Sequence, residues 1–312
     1  MVSFRNKKIK GKEYTYAEYS FRLPDKKIKK ISKYVKDGFD ERQVRDSLLQ
    51  EEVEAYKKVV KYKADAVLSD EDIKQIEEMR VRFKQIKNSL TKAQMDDIIT
   101  RFAVNFTYES NAIEGNSLTL KDVTLIVNQN IIPSGANLRD VYETRNTKEA
   151  IKMLFEGKIK ISNKDIIELH KTLVKDTGIN FGFKTIPNFL LGRNIKTTLP
   201  ENVEKEMTHL IDWYDKNCSI LHPLVLASEF HQRFEKIHPF DDGNGRTGRL
   251  LINAILIDLG YPPLIIRKTM KSAYFTALDA YDNGHKPKLV RFLLDKLRST
   301  YENFFRIYVR YL

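Results

Sequence analysis

The chain has 312 residues, of which 42% are apolar, a length typical of about two domains with enough apolar material for a substantial core. Its one cysteine excludes intrachain disulfide bonds, no apolar run reaches the length of a membrane span, and the first residues do not resemble a secretory signal. We therefore expect a soluble, cytoplasmic protein without membrane contact. The formal net charge of +12 suits a nucleic-acid partner, so its location along the chain matters.

The basic charge is concentrated at the N-terminus. Residues 1–35 hold eleven basic and three acidic residues, which leaves a net charge of only +4 for the rest of the chain. Residues 14–22 alternate aromatic with small or polar side chains, a Leu-Pro-Asp turn follows, and residues 27–35 alternate again. This pattern predicts a β-hairpin within a basic leader of residues 1–35. A solvated, lysine-rich surface explains the charge better than specific nucleic-acid binding does.

The remainder of the chain has helical periodicity. Residues 36–94 are predicted to form a charged N-terminal module of two long surface helices, the second capped by Ser69 or Asp70. Residues 95–312 are predicted to form a domain of shorter, more apolar helices. The helical pattern fails before Pro200, where residues 189–197 predict two short strands around a glycine turn. The expected fold class is mainly α.

A twelve-residue segment from His238 to Arg249, His-Pro-Phe-Asp-Asp-Gly-Asn-Gly-Arg-Thr-Gly-Arg, concentrates the groups that can do chemistry. Its glycine-rich part lies just before a predicted helix, so the backbone N–H groups of Gly243, Asn244 and Gly245 would converge with the positive helix end in an anion site. Arg246 and Arg249 are three residues apart and project from one face of the first turn. Two forked cations above a backbone anion site suit a polyphosphate.

Two further residues complete this chemistry. Asp242 directly precedes the anion site, where a carboxylate beside phosphates would be repelled unless Mg²⁺ bridged them. A histidine side chain has an unperturbed pKa near neutrality, so His238 can accept the proton of an attacking hydroxyl. These roles describe transfer from a nucleotide phosphate to a hydroxyl. The alternative is a structural histidine and turn, but two cations at a helix N-terminus oppose the helix dipole by about 0.3–1 kcal/mol each and favour a bound anion.

The twelve residues resemble the signature motif of the Fic-domain family at every fixed position, and the similarity extends over about residues 95–298. The resemblance implies a helical-bundle fold and an adenylyltransferase that moves AMP from Mg-ATP to a Ser, Thr or Tyr hydroxyl of a protein, including the chain itself. It implies that His238 is the general base and that Asp242 holds Mg²⁺. The phosphate-binding residues that it implies are Gly243, Asn244, Gly245, Arg246 and Arg249. The strand pair resembles the family's flap, which would dock the target's backbone through Leu190, Leu191 and Gly192.

A second motif, Ser110-Asn111-Ala112-Ile113-Glu114-Gly115-Asn116, resembles the family's N-terminal inhibitory helix. In this interpretation the Glu114 carboxylate pairs with Arg249, denies that cation to the γ-phosphate and places like charge near ATP. Ser110 belongs to the same motif. The alternative is a capped helix end in which Glu114 is exposed and Gly115 is the C-cap. Beside the complete signature motif we favour the inhibitory interpretation.

Several expectations are less closely tied to motifs. Asp282 stands near the position where many relatives carry an Asn that meets adenine, and Tyr274 could line the base pocket. Lys184 stands where an Arg is frequent, and His170, among apolar residues, is interpreted as a buried packing histidine. Inhibition within a homodimer is left open. Two alternatives remain: a protein that removes AMP, with Glu114 aligning water, and a nucleic-acid-binding regulator that uses residues 1–35, which no stacking motif favours.

Overall fold

The computed structural model describes residues 2–23, 27–36, 38–59, 67–188 and 196–309. The chain divides into a first unit, residues 1–89 with 308–312, and a second unit, residues 90–307. The predicted mainly α fold class is confirmed, because helices dominate both units and the described strands form one small sheet. None of the helices in these described ranges is both long enough and apolar enough to cross a membrane.

The first unit is an antiparallel sheet packed against two helices. The strands pair in the order β1, β2, β3, and Ala17 of the central strand lies opposite Phe4 on one side and Lys33 on the other. Side chains of a strand alternate between faces, so Ala17, Tyr19 and Phe21 share the inner face and are buried. The elements are β1 (Ser3–Ile9), β2 (Lys12–Arg22), β3 (Ile28–Val35), α1 (Glu41–Val59) and α2 (Asp70–Ser89).

Two features of this unit differ from the sequence prediction. The sheet has a third strand, β1, in addition to the predicted hairpin of β2 and β3. This strand lies at the sheet edge and is largely exposed on both faces, so its sequence lacks the alternation that reveals a strand. The division predicted after residue 35 also falls inside one core, because the inner face of the sheet packs with Leu48, Leu49 and Val53 of α1.

The second unit is helical throughout its described residues. Its two most buried helices are α8 and α9, which pack against each other and carry apolar side chains on nearly every side. The predicted helices before and after them are present, with Ser162 capping α6 as expected. The α-helices are α3 (Lys92–Ile113), α4 (Leu120–Thr124), α5 (Leu138–Phe155), α6 (Asn163–Val174), α7 (Pro200–Asn217), α8 (Pro223–Ile237), α9 (Asn244–Asp258), α10 (Lys271–Asp282) and α11 (Pro287–Thr300). The short α12 (Arg306–Val309) spans the boundary at residue 307.

Candidate active site

The loop between α8 and α9 carries the signature motif. Helix α8 ends at Ile237 because His238 adopts a left-handed conformation, with φ 51° and ψ 61°, and Pro239 cannot donate a helical hydrogen bond. Helix α9 begins after Gly243, whose φ of 79° favours glycine. The loop therefore places His238 at the end of one buried helix and the predicted anion site at the beginning of the next.

Helix α6 braces this loop through His170. The Phe240 ring is fully buried and stacks on the His170 ring with centroids 3.7 Å apart and planes within 3°. His170 Nε2 lies 2.9 Å from the Asp242 carbonyl oxygen, and its Nδ1 accepts a hydrogen bond of 3.4 Å from the Gly182 N–H. Burial lowers the pKa of His170 to about 4, so the ring is neutral at pH 7 and Nε2 carries the proton. The predicted packing histidine thus also orients the loop.

The Asn244 side chain closes the loop on itself. Its Oδ1 accepts the Phe240 N–H at 2.9 Å, and its Nδ2 donates to the Phe240 carbonyl at 2.7 Å. Asn188 Nδ2 donates to the same carbonyl at 2.9 Å. Because the Asn244 amide is engaged in this way, its backbone N–H is the group available to a phosphate, alongside that of Gly245. The Gly243 N–H instead donates to Asp242 Oδ1 at 2.5 Å.

Lys184 lies beneath the loop. Its backbone N–H donates to the Pro239 carbonyl at 2.8 Å, and its Nζ contacts the side chains of Asn188 at 2.7 Å and Thr197 at 3.2 Å. The side chain is buried, and this burial lowers the pKa of Lys184 to about 8. The lysine therefore links Asn188 to Thr197. Residues 189–195, which include the predicted docking residues Leu190, Leu191 and Gly192, lie outside the described residues.

The Glu114 carboxylate lies directly over the predicted anion site. A Cβ atom added to Gly245 would collide with Glu114 Oε1 and would lie 2.9 Å from Arg249 Nη1. Arg249 Nη2 donates to Glu114 Oε1 at 2.7 Å, while its Nε and Nη2 donate to the hydroxyl and carbonyl of Ser110, each at 3.0 Å. The structure thus brings the predicted inhibitory pair together across 135 residues of sequence. Burial acts to lower the pKa of Arg249, but the Glu114 charge helps to raise it overall.

Glu114 also lies at the C-terminal end of a helix. It is the C-cap of α3, and the backbone N–H groups of Gly115 and Asn116 donate to the carbonyls of Ala112 and Asn111. Gly115 has a φ of 101°, which a side chain would strain. The capped helix end and the pair with Arg249 therefore occur together, because the end of α3 places the Glu114 carboxylate beside Arg249.

The second predicted cation, Arg246, forms an ion pair with a different carboxylate. It is almost fully buried, and its Nη1 lies 3.1 Å from Glu143 Oε1 of α5. Asn116 Nδ2 donates to the other oxygen of Glu143 at 3.1 Å, which links the segment after α3 to Arg246. Sequence reasoning missed Glu143, because its contacts depend on how α5 packs.

Asp242 is accessible enough to meet a cation. Its carboxylate is 46% exposed and contacts Arg139 Nη2 at 2.6 Å and Arg246 Nη2 at 3.7 Å. Mg²⁺ is bound in many nucleotide enzymes by one or two carboxylates and the substrate's phosphates, with water completing the shell. A half-exposed carboxylate beside the predicted anion site fits this shared mode of binding. In the part of the chain that the structure describes, no group of three or more His, Cys, Asp or Glu side chains could hold a metal ion.

His238 has an acidic neighbour that the sequence analysis overlooked. Its Nδ1 lies 4.0 Å from Glu235 Oε2, and both side chains are largely buried. Gly248 of α9 makes room for this carboxylate, because a Cβ atom there would lie 2.7 Å from Glu235 Oε1 and 2.8 Å from His231 Nδ1. The available signal was the spacing of three residues at the end of a helix, which places Glu235 and His238 on one side.

The two residues predicted for the base pocket lie in different surroundings. Tyr274 is 1% exposed, and its hydroxyl is 2.6 Å from His231 Nε2 and is hydrogen-bonded to Arg249, so it lies behind that arginine. Burial raises the pKa of Tyr274. Asp282 is the last residue of α10, next to Tyr281, whose hydroxyl hydrogen-bonds to Glu229 of α8. A contact between either residue and a nucleotide base stays a prediction.

Comparisons with known proteins agree with this site. Residues 160–256 match the Fic/DOC family. The protein adenylyltransferase Fic of Nematostella vectensis is 35% identical over 192 residues, which are 60% of this chain and 45% of that protein. A Fic-domain-containing signaling protein of Bacteroides thetaiotaomicron has a TM-score of 0.64 and 29% identity, over 71% of this chain and 92% of its own. Fic-1 of C. elegans, at 22% identity and the same TM-score, shares the fold over 86% of this chain and 77% of its own.

The architecture and site define a Fic-type helical domain. Residues 160–256 of this chain match the family that its motif resembles, and the fold is similar to that of solved Fic-domain proteins. The chain spans less than half the length of the curated relatives that it matches, from 40% to 45% in the most similar ones.

Proposed function

We propose that this chain is a protein adenylyltransferase that transfers AMP from Mg-ATP to a hydroxyl side chain of a protein, and that Glu114 inhibits it. The observation that carries the proposal is the position of Glu114, whose carboxylate lies over Gly245 at the beginning of α9 and pairs with buried Arg249. An anion already occupies the place where the sequence predicts polyphosphate. The names of the relatives that match this chain support AMP as the transferred group.

The reaction would use the loop as follows. The backbone N–H groups of Asn244 and Gly245 bind phosphate oxygens at the positive end of α9, while that of Gly243 donates to Asp242 Oδ1. Arg246 and Arg249 supply buried positive charge. His238 accepts the proton of the target hydroxyl, whose oxygen bonds to the α-phosphorus while the bond from that phosphorus to the β-phosphate bridge breaks. Pyrophosphate leaves, and Mg²⁺ held by Asp242 would neutralise its charge.

Inhibition follows from space and charge at Gly245. The Glu114 carboxylate fills the room that a bound phosphate would need, and it binds the guanidinium that would otherwise bind the γ-phosphate. A polyphosphate brought beside it would also meet like charge. Glu114 is 37% exposed whereas Arg249 is 2% exposed, so the carboxylate is the partner that can leave without abandoning a buried charge.

The position of a radioactive label within ATP tests which group is transferred. Purified chain incubated with Mg²⁺ and ATP labelled at the α-phosphate should transfer label to protein, and ATP labelled at the γ-phosphate should not. Incorporation of the γ-label would indicate a kinase and contradict the proposal. Loss of AMP from a previously modified target, without any transfer, would indicate AMP removal instead.

Replacement of His238 tests the assignment of the base. His238→Ala should abolish transfer while nucleotide affinity changes little, because a general base acts on the hydroxyl and not on the phosphates. The matched control is His209→Ala, since His209 is an exposed histidine of α7 paired only with surface Glu206 in the described contacts. Parallel loss of nucleotide affinity and transfer in His238→Ala would mean that His238 has a structural role.

A further inference from the structure

The outer face of the N-terminal sheet carries three tyrosines in one cluster. Tyr14 and Tyr16 of β2 point to this face, and Tyr34 of β3 lies directly opposite Tyr16 in the strand register. The Tyr34 ring centroid is 5.7 Å from that of Tyr14 and 5.9 Å from that of Tyr16, with the planes at 69° and 63°. Tyr34 is 48% exposed, so aromatic surface is available to solvent.

This cluster is separate from the core of the first unit. Side chains on a strand alternate between the two faces, and the neighbouring positions Ala17, Tyr19 and Phe21 already supply the buried face of β2. Cross-strand aromatic pairs stabilise a sheet modestly, by roughly 0.2–1 kcal/mol each. A purely structural role would therefore need nothing more than the pairs themselves, and it would not account for the charge around them.

Basic side chains surround the cluster on the same face. By register, Arg5 of β1 lies opposite Tyr16 and Lys7 opposite Tyr14. Lys7 Nζ is 4.7 Å from the centre of the Tyr16 ring, within the range of a cation–π contact. Alternation brings further basic residues to this face at Lys12, Arg22 and Lys30.

One acidic residue occupies the same described face. Glu18 lies 2.7 Å from Lys7 and 3.6 Å from Arg5, which places these cations next to the rings. The face thus combines exposed π surface with a clear excess of positive charge. This combination is complementary to a ligand that has both flat aromatic groups and regularly spaced negative charge.

We propose that this face binds single-stranded nucleic acid, with bases stacked on the tyrosines and phosphates held by the surrounding lysines and arginines. Nonspecific single-strand binding sites combine these same two features. A duplex conceals the faces of its bases, so only its phosphates could be contacted here. An acidic peptide would use the cations but would gain little from the three rings. The proposal concerns a surface that holds none of the residues proposed for the transfer reaction.

Fluorescence anisotropy with the full chain tests this proposal. Labelled single-stranded oligonucleotides of mixed sequence should bind more tightly than the same sequence as a duplex. Tyr16→Ala and Tyr34→Ala should each weaken single-strand binding by at least about fivefold, the lower value for loss of one stacked base. Tyr34→Phe keeps the ring and should retain affinity. Circular dichroism and thermal unfolding identify any variant that fails to fold. If the alanine variants do not fold, single-strand affinity is compared between Tyr34→Phe, which should retain it, and Lys7→Gln, which should lose it.

Charge variants provide the second half of the test. Lys7→Gln should reduce the slope of log affinity against log salt by about 0.7, the value for one lost contact to a single strand. Lys87→Gln removes an equal charge from an exposed position on α2 in the same unit and should leave the slope unchanged. Equal losses in both lysine variants, equal affinity for duplex, or preference for an acidic peptide would each overturn the proposal.

Discussion

Glu114 and Arg249 form a contact in which the two partners are held very differently. Ser110 fixes the arginine with two further hydrogen bonds, whereas the glutamate lies at a helix end. Glu114→Gly should therefore raise AMP transfer severalfold, because it frees Arg249 and clears the space over Gly245. Glu114→Gln should give a smaller gain, since it removes the charge but retains the volume. Rates of α-label transfer at several ATP concentrations measure both effects.

A double-mutant cycle shows whether this contact is responsible. In an Arg249→Ala background, Glu114→Gly should change the transfer rate little, because Arg249 no longer holds the Glu114 carboxylate over Gly245 and the γ-phosphate contact is also gone. Fully additive effects would contradict direct contact between the two groups. If Glu114→Gly alone gives no gain with saturating ATP and a competent target, inhibition fails as a proposal while the transfer reaction is unaffected.

Glu235 can orient His238 without touching substrate. The carboxylate and Nδ1 are 4.0 Å apart, so a small rotation brings them into contact and leaves Nε2 to accept the hydroxyl proton. Glu235→Gln should lower the transfer rate about tenfold or more, in line with general-base positioning, and leave nucleotide affinity unchanged. It should also move the acid limb of the pH–rate profile to lower pH, because a nearby negative charge favours the protonated imidazole. A lower rate with an unchanged profile would indicate packing alone.

At the scale of elements, α6 and the signature loop are coupled through a neutral histidine. The folded chain keeps the pKa of His170 at about 4, against an ordinary 6.5, and burial is the largest cause. Between these values the unfolded chain binds the proton more readily, so stability contributed by neutral His170 is complete above pH 6.5 and is lost as pH falls towards 4. The loss is on the order of 3 kcal/mol at the low end. Burial also lowers the pKa of His222, to about 3, which acts in the same direction.

Urea unfolding at pH 7 and pH 5 measures this effect. The wild-type chain should lose stability at pH 5, and His170→Gln, which cannot bind a proton, should lose less between the two pH values even though it is less stable at both. His209→Gln on the surface of α7 is the matched control and should follow the wild type. An identical pH dependence in His170→Gln would mean that His170 does not titrate in this range.

The contacts of the elements explain which parts of the site were predictable. The ends of α8 and α9 follow from local chemistry, namely Pro223 in the first turn, Pro239 after the last turn and the left-handed Gly243. The Glu114–Arg249 pair was predictable from a motif. In contrast, the bracing of Phe240 by His170 and of Arg246 by Glu143 joins residues 70 to 103 positions apart. Such partners depend on helix packing, which periodicity alone does not define.

At the scale of the whole chain, the strands at the N-terminus complete a core and are not an appendage to it. Ala17, Tyr19 and Phe21 pack with Leu48 and the other buried residues of α1. The change in net charge at residue 35 predicts a domain boundary there. However, charged residues lie on the exposed face of the sheet, so they do not indicate with which helices its buried face packs. The strand β1 was missed for a related reason, since edge strands carry few apolar residues.

This arrangement changes what truncation should do. A chain beginning at residue 36 loses the buried face of the sheet, each apolar side chain of which contributes about 1.5–3 kcal/mol by burial, and leaves α1 and α2 with an exposed apolar surface. It should aggregate or lose the helical signal of those two helices.

A chain of residues 90–307 instead lacks the whole first unit and retains every residue of the signature loop, His170, Glu143 and the Ser110–Glu114 motif. It should stay monodisperse and transfer AMP, and Glu114→Gly should raise its rate as in the full chain. Size-exclusion chromatography, circular dichroism and α-label transfer compare the two truncations. If the chain beginning at residue 36 proves as stable as the full chain, the strands are separable after all; if residues 90–307 fold but transfer nothing, the first unit contributes to catalysis.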